Sequence, residues 1–511
     1  MKALDLAIIF GYLIGIVLFG TWFARRQRTT SDYFLGDRSV PWWAVAFSIV
    51  ATETSTITFI SVPGIAFARG GNFEFLQLVF GYLLGRIVIA LLFIPSYFRG
   101  ELLTVYQLLD RRFGGKIKVL AASLFIVMRN IADGIRLLLT AIVLAAVYTS
   151  FQPTANAETI TIASVVLIGL AMIIFTYFGG MEAVIWVEVV QLGIYLAGAI
   201  AAAVILTSAI DGGINTAIAE GSHYNKFWLF DFSLDFTKTF TFWAGLIGGC
   251  FLTMSTHGTD QYLVQRYLCI DRPRRAAAAL LTSGAIVLGQ FIGFLFIGVL
   301  LFAFYHPFTD PGYGTATAAA FPFTGGDRVF PDFITRHLPT GLSGLVVAAI
   351  FAAAMSSSLN SIAATAVNDL YKPLQPQRPD KHYLKVSHVL TLLWGVVQIA
   401  VALVVRHKNR SALDQALSVA SLINGPVLGV FLVGTFLRRV SQPPALIGML
   451  VSIVLMLYIS FATKIAWTWY VFIGSVITLV VAWLASFAFA AAPRSRRDQL
   501  APRRAVEELT D

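Results

Sequence analysis

The chain has 511 residues, 57% of them hydrophobic and only 13% charged, with a mean hydropathy of +0.77. Soluble domains run near 45–50% apolar and about 25% charged, so a soluble fold is excluded; apolar runs of about twenty residues, rather than alternation over about ten, exclude a membrane barrel. The formal charge of +10 reads as the loop lysines and arginines that orient a polytopic membrane protein, not as a nucleic-acid footprint.

Taken in chain order, hydropathy predicts an all-α protein of about thirteen spans, centred near residues 14, 54, 87, 133, 168, 197, 253, 290, 355, 394, 425, 452 and 478. The first, "LDLAIIFGYLIGIVLFGTWFA" from Leu4, is too long for a signal peptide and runs straight into Arg25 and Arg26. The second holds "VATETSTITFISVPG", which sets Thr52, Glu53, Thr54, Ser55, Thr56 and Thr58 at mid-depth ahead of Pro63 and Gly64. Between the third and fourth spans, "LTVYQLLDRRFGGK" is too polar to cross and is expected to form a surface helix. The stretches 211–238 and 306–339 are expected to be loops with a short helix each. Cys250 and Cys269 fall in or beside spans, which argues against a disulfide framework. Residues 1–493 are expected to form one transporter domain, and 494–511 a short, basic, disordered cytoplasmic tail.

Arg25, Arg26, Arg28, Arg38, Arg111, Arg112, Lys116, Lys118, Arg272, Arg274, Arg275, Lys372, Lys381, Arg438 and Arg439 share one side with the C-terminal arginines. That side is therefore assigned to the cytoplasm, with the N-terminus outside and the C-terminus inside. "RHKNR" from Arg406 runs against the rule.

Two spans do not read as ordinary spans. The second is interrupted as quoted, and the seventh, "GLIGGCFLTMSTHGTDQYLVQR", carries Gly248-Gly249, His257, Gly258 and Asp260. They lie five apart in the count. Broken helices at matching places in two halves point to an inverted-repeat transporter with its site at the midplane, because unwound backbone survives there only when it lines a cavity or is buried in protein. A third segment, "AAIFAAAMSSSLNSIAATAVNDLY", puts Ala353, Ser356 and Ser357 at i, i+3 and i+4 on one face. Two hydroxyls facing free carbonyls of a broken helix would form an oxygen cage suited to a hard cation such as Na⁺. The plainer alternative is a small-residue packing seam whose hydroxyls bond their own i−4 carbonyls.

The chain resembles the sodium:solute symporter family over nearly its whole length, in "YFLGDRSVPWW", "GYLLGRIVIALLFIPSYF", "TVYQLLDRRFGG", "YFGGMEAVIWVEVVQ", "GTDQYLVQRYL", "HLPTGLSGLVVAAIFAAAMSSSLNS" and "NDLYKP", in the family's order. The resemblance implies a LeuT-type fold of two inverted five-helix repeats, here 42–211 and 238–437, with one extra helix before them and two or three after. It also implies a sodium site made by the carbonyls of Ala51 and Thr54 with Ala353, Ser356 and Ser357. Relatives carry about three more residues in the serine stretch than "MSSSLNS"; counted back from "NDLY", Ala353 and Ala354 would take the hydroxyls' places, and we favour the register that keeps Ser356 and Ser357. Glu188 in "WVEVVQ" stands where relatives commonly have an aspartate. The resemblance makes it a second ion site or a proton site, against the alternative of a buried carboxylate bonded to its neighbours.

Charges inside a span are functional-site hypotheses by default. Glu53, in the break, could bind a cationic group, carry a proton, or pair with an arginine to hold a gate. Asp133 can pair with Arg129 or Arg136 as a structural triad; the sharper reading offers Arg129 and Arg136 to a substrate carboxylate. Arg86 is expected to be structural and His257 a packing group. The family alignment adds Thr58, Gln77, Asp260 and Gln261 to the substrate-binding set. The eighth span offers Gln290 and no lysine of the sort sugar transporters use.

The function expected is therefore Na⁺-coupled symport of a small polar solute by alternating access in a bacterial inner membrane, an organic anion or amino acid ahead of a sugar. The partners are the solute, Na⁺ as coupling ion and the bilayer, with no other cofactor, no nucleic acid and no obligate protein partner. The alternative is proton coupling through Glu53 or Glu188 with a vestigial sodium site, and more remotely a membrane sensor. No Walker A loop, zinc spacing or nucleophile elbow supports an enzyme.

Overall fold

The computed structural model describes residues 2–23, 25, 27–100, 102–152, 154, 156–305, 326–355, 358–407 and 422–493, and no strand occurs among them. The tail from 494, Ser356 and Ser357 lie outside the described residues.

The N-terminal helix α1 (Ala3–Phe23) begins at a buried Asp5. Its carboxylate accepts the amides of Gly341 and Gly344 at 2.7 and 3.1 Å, where a helix N-terminus leaves N–H groups unpaired. A Thr29/Asp32 capping box starts α2 (Thr30–Leu35), and Gly36 ends it in the left-handed conformation. The second span divides into α3 (Trp42–Glu53) and α4 (Thr56–Phe67), bent by 58°. There follow α5 (Leu76–Leu92), α6 (Ile94–Tyr97), α7 (Tyr106–Arg112) and α8 (Gly115–Phe151). The expected surface helix is α7, although it buries Tyr106, Leu108, Leu109 and Arg112.

In α9 (Ala157–Ala209) two expected spans run together, interrupted where Gly180 takes φ 59° and ψ −164°. The loop after it carries α10 (Gly213–His223). A π-helical turn, Ala244–Gly248, leads into α11 (Gly249–Gly258), and α12 (Gln261–Leu268) follows a break at Thr259 and Asp260. The second half continues with α13 (Pro273–Tyr305), α14 (Val329–His337), α15 (Leu342–Met355) and α16 (Leu359–Thr365). A second π-helical stretch, Ala366–Tyr371, joins α16 to α17 (Lys372–Leu374), and α18 (Asp380–Val405) precedes helices Asn424–Phe436, Gln442–Ala462 and Tyr470–Ala485.

Among the described residues seven helices are long and apolar enough to cross a membrane, or eight with the bent α3–α4 pair; Leu76–Leu92, Leu342–Ala352 and Asn424–Phe436 are shorter apolar helices. The thirteen expected spans exceed that number because α9 holds two expected centres and because spans broken into pieces fall below the length a bilayer demands.

The seventh span is broken as expected, beside Gly258 and at Asp260. Gly248 and Gly249 are helical, and the break comes ten residues later at Thr259–Asp260. Gly248 serves close approach to Thr468, and Gly249 and Gly245 serve close approach to α5. A Cβ on Gly81 would lie 2.1 Å from the Gly245 carbonyl oxygen, and one on Gly249 would lie 2.6 Å from that of Leu78. Small residues let helices touch backbone to backbone.

Candidate transport site

The break in the second span begins where α3 runs out of partners. Its last ladder bond is Thr54 N–H to Val50 O at 2.8 Å. Thr54 then leaves the helical region (φ −78°, ψ 55°), and Ser55 caps α4 by accepting from the Thr58 amide. Serines and threonines offer the backbone such local alternatives to the helix. Thr58 Oγ1 donates to the Glu53 carbonyl at 3.0 Å. Thr54 Oγ1 donates to Val50 O at 2.7 Å and lies 2.8 Å from the Gln290 side-chain amide on α13. Ala51 and Thr54 thus sit at the end of α3, where carbonyls lose their intrahelical donors.

Four carboxylates inside the helix bundle, three of them buried and Glu53 partly exposed, each pair with an arginine. Glu53 pairs with Arg86 of α5, while its Oε1 lies 2.9 Å from His257 Nε2 of α11. Arg86, expected to be structural, and His257, expected to be a packing group, both close on the break itself. Of the three roles open to Glu53, the structure places it in the arginine pair.

Glu188 is fully buried against Arg266 of α12, Nη2 to Oε1 at 2.6 Å and Nε to Oε2 at 3.3 Å. Ser48 donates to the same carboxylate, and so does Thr52 at 3.1 Å. An expected second ion or proton site therefore holds an internal cation instead. A buried carboxylate needs a charge partner and donors for its lone pairs, and Arg266 with two hydroxyls supplies both.

Arg129 pairs with Asp260, whose Oδ1 also accepts the Tyr262 amide at 2.9 Å and so caps α12. Asp133 takes Arg136 at 3.2 Å and accepts from Ser358 through both amide and hydroxyl. The expected triad is split, because Asp260 competes for one of its arginines. The Tyr262 ring lies between the guanidinium groups of Arg129 and Arg266, at 4.7 and 4.6 Å.

The remaining substrate candidates are also engaged within the protein. Gln77 accepts from the Asp231 amide at 3.0 Å and donates to the Glu74 carbonyl at 3.1 Å, holding the loop after α10 against the start of α5. Gln261 accepts from Val105 N–H at 2.8 Å and donates to Leu103 O at 3.1 Å, clasping the loop before α7. Asp260 and Gln261 are thus held by protein partners, while Asp260 also lines a small cavity with Tyr106, Ser255 and Asn424. Side chains of Ala353, Ser356 and Ser357 lie outside the described residues. Arg266, Ser48 and Ser358 were not singled out from sequence. Arg266 had a signal, as an arginine two turns into an otherwise buried helix.

A broken span stapled by ion pairs across several helices defines a LeuT-type membrane transporter rather than an enzyme, and the fold comparison agrees. A Na⁺-coupled sialic acid symporter, solved in a substrate-bound outward-open state, superposes with a TM-score of 0.83 at 28% identity, covering 96% of this chain and 99% of that one. Mhp1, a nucleobase-cation-symport-1 family transporter, shares the fold at a TM-score of 0.50 and 14% identity, over 91% of this chain and 97% of its own. The sodium:solute symporter family model matches residues 33–452, and the chain belongs to that family. It is 31% identical to the sodium/sialic acid symporter NanT of Aliivibrio fischeri, over 94% of this chain and 92% of that protein. It is 30% identical to SiaT of Proteus mirabilis, over 97% of each.

Proposed function

We propose that the protein couples Na⁺ entry to symport of an organic anion by alternating access, with sialic acid, named for its relatives, as the first solute to test. The observation that supports this is near-full-length likeness to two sodium/sialic acid symporters in a chain whose α3–α4 span is broken at Ala51–Thr54. The ion site we assign to the carbonyls of Ala51 and Thr54 with Ala353, Ser356 and Ser357. Thr58 and Arg136 are the assigned solute contacts. Arg136 is partly exposed (28% for its side chain), and Asp133 occupies only part of its five-donor fork. The repeats are assigned to 42–211 and 238–437, with the N-terminus outside and the C-terminus in the cytoplasm of a bacterial cell.

The driving force is adequate. One charge moving through 100 mV supplies about 2.3 kcal/mol, and a tenfold Na⁺ gradient adds about 1.4 kcal/mol. With a monovalent anion one Na⁺ moves no net charge, so only the gradient counts and one ion supports about tenfold accumulation; a second Na⁺ adds its gradient and the potential and raises this to roughly 5,000-fold. The test is uptake of labelled N-acetylneuraminate into proteoliposomes under an inward Na⁺ gradient, against choline. Uptake in Na⁺ alone supports the reading; equal counts in both overturn it, and Na⁺-driven uptake of a neutral solute in place of the acid would replace the anion assignment.

A further inference from the structure

Asp369 departs from the pattern of carboxylates paired with arginine. It lies in the π-helical stretch Ala366–Tyr371 and is fully buried. Oδ1 accepts one hydrogen bond, from Thr104 Oγ1 at 2.8 Å. Oδ2 has no partner among the described residues, and neither does the buried hydroxyl of Thr365, four residues earlier. No cation lies within ion-pair distance among the described residues. Lys118 of α8 faces the site but is bound to Asp110 at 2.6 Å, so that pair brings no net charge. Tyr106 of α7 is the other titratable neighbour on that side. On α18, His382 bonds the Tyr371 hydroxyl at 2.9 Å, and Lys372 lies over the Tyr383 ring at 5.1 Å.

An ionised carboxylate with a single neutral donor is costly in such surroundings, and a group so placed neutralises itself by taking up a proton. Glu53, Glu188, Asp133 and Asp260 avoid this through their arginines; Asp5 does so through backbone amides. π-Helical turns recur at functional sites. The donor to Asp369 stands on a loop clasped from outside, by Gln261 at Leu103 and Val105 and by Arg38 at Leu102 O, 3.1 Å. Separation of that loop would remove Thr104 and admit water.

We propose that Asp369 is a proton-binding site, loaded while the Thr104 loop is closed over it. Water supplies the proton as the loop closes, the carboxylate becomes the acid, and the proton returns to water when the loop opens. This is independent of the solute and of the sodium cage, and it moves proton chemistry away from Glu53 and Glu188.

The test is infrared spectroscopy of the purified protein in nanodiscs at neutral pH, in the protonated-carboxyl stretching region. The wild type is expected to show such a band. Asp369→Asn should lose it, and Thr104→Val should keep it at higher frequency, one hydrogen bond having been removed. A wild-type spectrum that matches Asp369→Asn there would mean an ionised Asp369 and would overturn the proposal. If Asp369→Asn does not fold, Thr104→Val decides alone: a displaced band supports the site, an unmoved spectrum refutes it.

Discussion

Replacing Arg266 with methionine removes the cation from a carboxylate that has no access to solvent. Glu188 then keeps Ser48 and Thr52, which donate to it but carry no charge. Breaking a buried pair from one side costs about 3–5 kcal/mol, because the charge left behind has lost its partner and its solvent. Glu188→Gln leaves Arg266 as the uncompensated charge and should cost a similar amount. The double variant Glu188→Gln/Arg266→Met should lose far less than the sum, with a coupling of at least about 2 kcal/mol. Reversible unfolding in mixed detergent micelles measures all four proteins. Additive losses would refute the reading of Glu188 as half of an internal pair and return it to the ion-binding candidates.

Ser356→Ala/Ser357→Ala should abolish a saturable Na⁺ response in tryptophan fluorescence, or weaken it roughly tenfold or more for each lost ligand; an unchanged titration would favour the alternative register through Ala353 and Ala354. Gly81→Val should yield almost no folded protein, because its Cβ would overlap the Gly245 carbonyl, whereas Gly289→Ala, with open space around it, should be tolerated; size-exclusion profiles compare them. Lys226, in the loop after α10, donates to the carbonyls of Phe67 and Ala68 at the end of α4, and burial lowers its pKa to about 8 from 10.5. The unfolded lysine keeps its proton to higher pH than the folded one, so stability relative to Lys226→Met should rise between pH 8 and 10.5, by at most about 3 kcal/mol. A melting-temperature difference constant over that range would contradict it.

The helices and the broken second span were legible because their signals are local: apolar runs of bilayer length, and a Thr/Ser cluster ahead of Pro63 that diverts backbone hydrogen bonds. The partners of the charges were not. Glu53 and Arg86 lie on neighbouring spans, as do Glu188 and Arg266, and which arginine reaches which carboxylate depends on how helices rotate against each other. Asp133 shows the limit well. Sequence spacing allowed either neighbouring arginine, and only the arrival of Asp260 at Arg129 decides. Gly248 and Gly249 mark close packing and not the break itself, for a related reason. Glycine signals permission, and whether it permits unwinding or close approach depends on the helix opposite.

That close approach has a mechanical consequence. With α5 and α11 in backbone contact, Arg86 and His257 ride on a single rigid plate, and Glu53 is gripped by both at once. If a side-chain movement opens one contact, the other keeps Glu53 beside it at high effective concentration, so a lasting release needs both to open together. Freeing the broken span is then one event with one threshold, not a graded loosening.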